Sequence, residues 1–326
     1  MIAASLVTLL ASLVLCGAYL RLALHWKIMA TPNARSSHKT PTPHGGGAPM
    51  LLAFALGMLV AAMAYAPWEA PYIVLAAVAM LLALLGIVDD LRALSVQLRF
   101  GVYGLACLVT AGYLLPAGGS AFASGLLVLA VALAMLWVVN LYNFMDGIDG
   151  IAAIQCLLAC GAAAFFAWQK GSQDYALFCL LLGASQLGFL VWNWPPARLF
   201  MGDAGSIPTG FLLSGLALVG AVNDHLGLPG WLVLLAVFIT DASWTLMWRI
   251  SSGQAYTQPH RLHAYQRLAR HWGSHLRVDI LLALIFFAWL LPLAWISEIY
   301  PNHAFLLVIL AYLPLVLGMA KTRPLA

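Results

Sequence analysis

Charge is what this 326-residue chain has least of: Asp, Glu, Lys and Arg together make up 8% of it, against 63% hydrophobic residues. No stretch is long and polar enough for a soluble domain, and none combines basic with aromatic residues, which removes a nucleic-acid-binding reading. The five cysteines, Cys16, Cys107, Cys156, Cys160 and Cys179, all fall within apolar runs, so no disulfide framework is expected. Cys156 and Cys160 are one helical turn apart and read as small packing residues. No basic residue precedes the first apolar run, whereas Arg21 and Lys27 follow it. That run is therefore expected to be a retained first span and not a cleavable signal peptide.

What the chain does have is long apolar runs separated by short polar clusters, the pattern of a polytopic membrane protein. About eleven runs approach the ~20 residues that a ~30 Å hydrocarbon core requires. They cover 2–24, 48–66, 72–88, 99–116, 121–142, 151–167, 175–192, 207–222, 228–248, 279–296 and 303–320. The expected fold is an all-α bundle of transmembrane helices forming a single integral-membrane domain over 1–326. Because cytoplasmic connections are enriched in Lys and Arg, the charges after the first span place the N-terminus outside. Parity then makes the connections at about 25–47, 89–98, 143–150, 193–206 and 249–278 cytoplasmic, together with the C-terminus. Of fifteen basic residues, fourteen fall on that side and Lys170 alone falls on the other. The net charge of +4 thus belongs to one face, which suits anionic headgroups and phosphorylated substrates.

The five segments hold nearly all the reactive side chains. The first runs from Arg35 to Gly47, stiffened by Pro41 and Pro43, with glycines where the chain re-enters the membrane. Asp89 and Asp90 end the third span, where the negative end of the helix dipole disfavours carboxylates. They need a cationic partner, for which Arg92, Arg99 or a divalent metal would serve; a solvated turn is the plainer alternative. Asp146 and Asp149 follow Asn143 at a spacing of three, which lets both face one way. A capping turn explains one of them better than both. In the fourth segment Pro195 and Pro196 end a helix, and Gly202 to Ser206 open the next one, whose free amides favour an anion. Asp203 as an ordinary helix cap would leave Asn193, Arg198 and Phe200 beside it unexplained. The last segment carries His260, Arg261 and His263, then Gln266, Arg267, Arg270, His271, His275 and Arg277. Leu262, Tyr265, Leu268, Ala269 and Trp272 predict an amphipathic helix here. Hard carboxylate oxygens without cysteine partners favour magnesium over zinc.

Asp89-Asp90, AsnPheMetAspGlyIleAspGly at 143–150 and AsnTrpProProAlaArgLeuPheMetGlyAspAlaGlySer at 193–206 together resemble the polyprenyl-phosphate N-acetylhexosamine-1-phosphate transferase superfamily. The resemblance covers nearly the whole chain. It implies transfer of a sugar 1-phosphate from a UDP-N-acetylhexosamine to undecaprenyl phosphate, with release of UMP, in the bacterial inner membrane among its lipids. It also implies magnesium, or manganese in its place, and a homodimer. Residue by residue, Asp203 matches the metal-binding aspartate and Phe200 the ring that stacks on uracil. Asn143, Asp146, Asp149 and Asn193 match the nucleotide and active-site polar set, and Asp89 and Asp90 the pair near the lipid phosphate, Asp90 as a second metal ligand. Arg35, His38 and Lys39 look like the family's first basic set. His260 and His263 are similar to its catalytic histidines, with Arg261 a substrate-binding group beside them. Asp241, inside the ninth span, resembles a supporting aspartate. The sequence HisArgLeuHis followed by AlaTyrGln looks like the O-antigen initiators that use 6-deoxy-N-acetylhexosamines, with UDP-N-acetylglucosamine the alternative donor. Two other classes remain open at this point. A secondary transporter would hold its charges near the midplane between repeated halves, and a silent scaffold would keep the motifs without turnover.

Overall fold

The computed structural model describes residues 1–30, 41–92, 94–116, 118, 120–254 and 260–321. Helices dominate: α1 (Ile2–His25), α2 (Gly47–Ala64), α3 (Ala70–Arg92), α4 (Val96–Leu114), α5 (Ala121–Met145), α6 (Ile151–Gln169) and α7 (Gln173–Asn193). They continue as α8 (Asp203–Val222), α9 (Leu228–Leu234), α10 (Ala236–Ser251), α11 (Ala264–Trp272), α12 (His275–Ile285), α13 (Leu291–Ile299) and α14 (Ala304–Lys321). The described strands are two residues each, β1 (Met29–Ala30) and β2 (Thr42–Pro43), paired antiparallel with Met29 opposite Pro43.

Nine described segments are long and apolar enough to cross a membrane, and the bent pair α9 and α10 would make a tenth. The chain is an all-α, multi-pass membrane protein. α4 fills the fourth predicted span but falls outside that set, since Gln97 and Arg99 occupy its first turn. Leu, Ile and Phe side chains cover the outer surfaces, Leu10, Leu81, Leu133 and Phe305 among them. That exposure would be a liability in water and is ordinary against lipid tails, where helices associate through close packing and internal polar contacts. The centre is α8, with 83% of its apolar window buried against 17% for α5 and α14. α8 packs on α3 and α5, while α6 and α7 pair beside it.

Small residues set how closely α8 is approached at its N-terminal end. A Cβ on Gly47 would fall on the backbone of Gly205, and one on Gly86 would lie 2.5 Å from the Ala204 Cα. Any larger residue would push α2 or α3 off α8 and open the site described below.

Two spans depart from straight helices. The predicted span at 228–248 is broken at Leu235 with a 72° bend between α9 and α10. The carbonyl of Leu234 freed there accepts a 3.0 Å hydrogen bond from Nε2 of the buried Gln155, which meets the demand that no backbone group go unpaired in lipid. The last part of the tenth span passes through a π turn, Phe286–Leu290. Pro292 follows it and has no N–H to give the preceding turn, a common cause of such a widening.

The polar segments meet at one end of the bundle. Phe200 donates its N–H to the Pro43 carbonyl (2.8 Å), Gly47 donates to Met201 (2.9 Å), and the Tyr265 hydroxyl donates to Phe144 (2.8 Å). At the other end Lys170 is paired, its Nζ 2.8 Å from Glu298 Oε2 and 3.3 Å from Asp224 Oδ1. All five cysteines are buried and free.

Candidate active site

The site begins with how two adjacent carboxylates at the end of α3 are used. Asp89 is met by a side-chain cation: its Oδ2 is 2.8 Å from Nη1 of Arg99, and its Oδ1 accepts the Leu94 N–H at 2.6 Å. Asp90 is met by a helix end instead. Its Oδ1 accepts the Asp203 N–H (3.1 Å) and its Oδ2 the Ala204 N–H (3.3 Å), so α3 caps the N-terminus of α8 in place of a local capping residue. Gly202, at φ +73°, turns the chain into α8 and leaves room for the Asp90 carboxylate, 2.6 Å from where a Cβ would stand.

Capping from α3 releases the Asp203 side chain from that duty. Its Oδ1 accepts a 2.8 Å hydrogen bond from Asn143 Nδ2, and its Oδ2 lies 3.3 Å from Arg99 Nη1. Asn143 is also 2.8 Å from the Ser206 hydroxyl. Arg99 therefore bridges Asp89 and Asp203, and links α4 to the first turn of α8.

Asp146 follows the last residue of α5 and faces the same cavity. Among the described residues its carboxylate has no hydrogen-bond or ion-pair partner. Withdrawal from water, and then the charges of Asp203, Asp90 and Asp149, push it up to about 7. Of the four carboxylates that face the cavity, it is the one without a fixed donor among the described residues. Asp149, three residues on, is 9% exposed and well held: Oδ2 accepts the Ala197 N–H at 3.1 Å and lies 3.0 Å from His275 Nδ1. Asn193 closes the same corner, its Oδ1 accepting the Gly150 N–H and its Nδ2 donating to the Leu199 carbonyl, both at 2.9 Å. Gly150, at φ +82°, makes the turn into α6.

These groups line a cavity of about 380 Å³. Asp90, Asn143, Asp146, Asp149, Asn193, Phe200 and Asp203 all contribute to its wall, as do His44, Gln266 and His275. Seven of the residues singled out in the sequence are thus brought together from three separate segments. Asp89 stands behind the wall with Arg99. His260 and His263 stand farther off: their rings are 4.9 Å apart, and His263 Nδ1 is 3.2 Å from Asp241 Oδ1. Burial first, then the neighbouring His263 and Arg249, hold His260 down to about 4, so it is neutral near pH 7 and contributes hydrogen bonding, not charge. Arg261 is also outside the cavity wall. Arg35, His38 and Lys39 lie outside the described residues.

Asp241 explains how the last segment reaches the site. This buried carboxylate accepts the N–H groups of Ala264 (2.9 Å) and Tyr265 (3.0 Å) and the Thr245 hydroxyl (3.1 Å), besides facing His263. It caps α11 from inside the bundle. α11 then places Gln266 in the cavity wall and Tyr265 against the turn at 144–147. The amphipathic helix expected there is present, and its inner face packs on protein.

His44, Gln266 and His275 were not singled out as site residues by sequence. His275 stands at the first residue of α12, in the segment already conspicuous for its charge; no spacing rule separates it from His271 beside it.

Four carboxylates around one cavity are hard donors, as magnesium prefers. No three His, Cys, Asp or Glu side chains among the described residues converge on one point. Magnesium is commonly held by one or two carboxylates together with substrate phosphates and water. Asp203 and Asp146, the latter without a partner among the described residues, fit such a role. Asp90 is committed to two amides, although each oxygen keeps a lone pair.

One turn beyond His275, Asp279 is 2% exposed and neither carboxyl oxygen has a partner among the described residues. An unsatisfied buried polar group costs ~1–3 kcal/mol. Asp279→Leu, of similar shape, is expected to stabilise the protein by about that amount, read as a higher unfolding temperature in detergent; an unchanged or lower temperature would mean the carboxyl is satisfied in the membrane-bound protein.

The chain is similar to known proteins over most of its length. The sequence pattern of glycosyl transferase family 4 matches residues 72–221, which span α3 to α8 and four of the cavity carboxylates. The chain is 29% identical over 294 residues to the probable undecaprenyl-phosphate N-acetylglucosaminyl 1-phosphate transferase of Bacillus subtilis, covering 86% of this chain and 80% of that protein. It is 30% identical to the decaprenyl-phosphate N-acetylglucosaminephosphotransferase of Mycobacterium leprae, covering 81% and 75%. The phospho-N-acetylmuramoyl-pentapeptide-transferase of Shouchella clausii is 30% identical, covering 64% and 71%. The fold, the convergence of the three motifs on one cavity and these likenesses agree: the chain belongs to the polyprenyl-phosphate sugar-1-phosphate transferases of glycosyl transferase family 4.

Proposed function

We propose that this protein transfers an N-acetylhexosamine 1-phosphate, of the 6-deoxy kind, from its UDP-sugar to undecaprenyl phosphate, initiating O-antigen or a related cell-envelope glycan. The reaction takes place at the cytoplasmic face of the bacterial inner membrane. The observation that carries this reading is the Asp146 carboxylate beside Asp203, without a hydrogen-bond or ion-pair partner among the described residues, in a cavity walled by four aspartates at the N-terminus of α8. Such a wall repels an anionic donor and an anionic acceptor unless a cation joins them. Bound there, magnesium would neutralise the pyrophosphate and the departing UMP. Placement of the carboxylates at helix ends weighs against a transporter, which holds its site near the midplane.

In the proposed step, an oxygen of the lipid phosphate attacks the β-phosphorus of the donor. A new P–O bond forms, the bond from that phosphorus to the bridging oxygen breaks, and UMP leaves with the electron pair. A phosphate monoester has a second pKa of about 6, so the acceptor is largely dianionic near pH 7 and needs no general base. The chain's work is then to bind and orient. Asp203 and Asp146 would hold the cation. Asp90 fixes the amide end of α8, and Arg99, shared between Asp89 and Asp203, holds the Asp203 carboxylate in place. Phe200 offers a ring face to the base, and Asn193 and Asp149 bound the same corner.

A second donor, UDP-N-acetylglucosamine, is favoured by the names of the Bacillus and Mycobacterium relatives. The test is UMP release by the purified protein with undecaprenyl phosphate and each of UDP-N-acetylglucosamine, UDP-N-acetylfucosamine and UDP-N-acetylquinovosamine. Higher kcat/KM for a 6-deoxy donor is expected. Equal values for all three would remove the 6-deoxy assignment, and no UMP with any would remove the transferase reading.

A further inference from the structure

Three side-chain amides stand in the cavity wall, those of Asn143, Asn193 and Gln266. Two of them are occupied by the protein itself. Asn143 Nδ2 donates to Asp203 and to Ser206, while Asn193 accepts the Gly150 N–H on Oδ1 and donates from Nδ2 to the Leu199 carbonyl. Gln266 is different: it is 7% exposed, and its Oε1 is enclosed without a partner among the described residues. Its Nε2 also meets no acceptor among them, yet stays reachable, 2.8 Å from where a Cβ on Gly147 would stand. A buried amide left so costs free energy that a ligand's acceptor offsets.

The fold holds this amide in place. Gln266 is the third residue of α11, whose first amides are capped by the buried Asp241. Its neighbour Tyr265 is tied through its hydroxyl to the Phe144 carbonyl. Glycine at 147 leaves the space that the amide fills, against the turn that carries Asp146.

Phosphates are met best by charged partners, and a neutral amide N–H suits a neutral carbonyl oxygen. The donor of the proposed reaction has such oxygens on uracil and on the 2-acetamido group of its sugar. Phe200, which offers its ring to the base, is docked on Pro43 at the β2 side, whereas Gln266 enters with α11 beside the Asp146 turn. Base and sugar lie at opposite ends of the pyrophosphate. With the cation between Asp203 and Asp146, the Asp146 end is left for the sugar.

We propose that Gln266 is a specificity-determining residue, whose Nε2 donates a hydrogen bond to the carbonyl oxygen of the donor's 2-acetamido group. The inference rests on the UDP-sugar reading above. It adds a contact from α11, outside the residues that match the family pattern.

The test compares two donors in the purified full-length protein: the UDP-N-acetylhexosamine with the highest kcat/KM, and the same nucleotide sugar with a 2-hydroxyl in place of the acetamido group. Gln266→Met keeps the length of the side chain and removes the amide. It is expected to lower kcat/KM for the acetamido donor about tenfold, the scale of one hydrogen bond, and to leave the 2-hydroxy donor and the affinity for UMP unchanged. The preference between the two donors thus falls about tenfold, which a general loss of structure would not produce, since that lowers both alike. Gln266→Glu, of the same shape but without an N–H, carries the same test if the thioether disturbs folding. An unchanged preference in both variants overturns the proposal. So does an equal loss in UMP affinity, which would place the contact on the nucleotide. A wild-type protein that releases no UMP from any UDP-sugar overturns the transferase reading itself, whereas an active wild type with an unaltered preference in the variants removes this inference alone.

Discussion

Asp203→Asn is expected to lower magnesium-dependent UMP release by about 10³-fold, equivalent to ~4 kcal/mol of transition-state stabilisation. Asn keeps the size of the side chain and an oxygen for the 2.8 Å contact with Asn143, so the first turn of α8 should stay in place. What it removes is the negative charge that stands closest in influence to Asp146 and that pairs with Arg99. The cation would then lose one of its two carboxylates, and Arg99 would turn its charge wholly to Asp89. Since Asp90 caps α8 independently of the Asp203 side chain, the unfolding temperature should move little. A variant that keeps more than a tenth of wild-type kcat/KM would show that Asp203 does not hold the metal. A variant that loses activity together with several degrees of stability would assign the residue to structure.

The second large effect concerns stability. Asp241→Ala is expected to cost ~3–5 kcal/mol, because it removes one partner of a buried, hydrogen-bonded pair. The loss falls on four donors at once: the amides of Ala264 and Tyr265, the Thr245 hydroxyl and the His263 ring. α11 would lose the cap that ties it to α10, and with it the placement of Gln266 in the cavity wall. Faster hydrogen exchange across 264–272 should accompany the drop in unfolding temperature and in turnover. Asp241→Asn, which keeps a carbonyl oxygen for one or two of the four donors, should lie between. If Asp241→Ala leaves exchange in α11 unchanged, the segment is held by its apolar face and the cap is incidental.

Most of the fold is legible in the sequence because lipid makes a simple demand. Every spanning segment needs ~20 apolar residues and internal backbone hydrogen bonds, so hydropathy alone locates the helices to within a few residues. The break at Leu235 is not legible: neither proline nor glycine marks it, and the carbonyl it frees is satisfied by Gln155, 79 positions earlier. The tenth span starts at His275, four residues before the apolar run suggests, since helix propensity and the Ser274 cap carry it past the polar residues. Those four residues bring His275 into the cavity.

The carboxylates at 90, 146, 149 and 203 were legible as a set, because charge is so scarce in this chain that each one needs a reason. Their duties were not. Asp89 and Asp90 are adjacent and chemically identical, yet one faces Arg99 and the other the amides of α8. Successive positions on a helix point about 100° apart, and which neighbour each meets depends on the packing of α3, α4 and α8. His260 and His263 share a face, as their spacing allows, and that face is turned to Asp241 and away from the cavity wall.

The sequence by itself determined a multi-pass helical protein, its family and the residues from which the site is built, because scarce charges among apolar runs and three spaced motifs are local properties of the chain. Tertiary structure alone decided which carboxylate caps a helix, which is left without a partner, and which imidazole meets the cavity. Those outcomes depend on burial and on partners distant in sequence, and a hydrogen bond to a buried group is decided by distance in space.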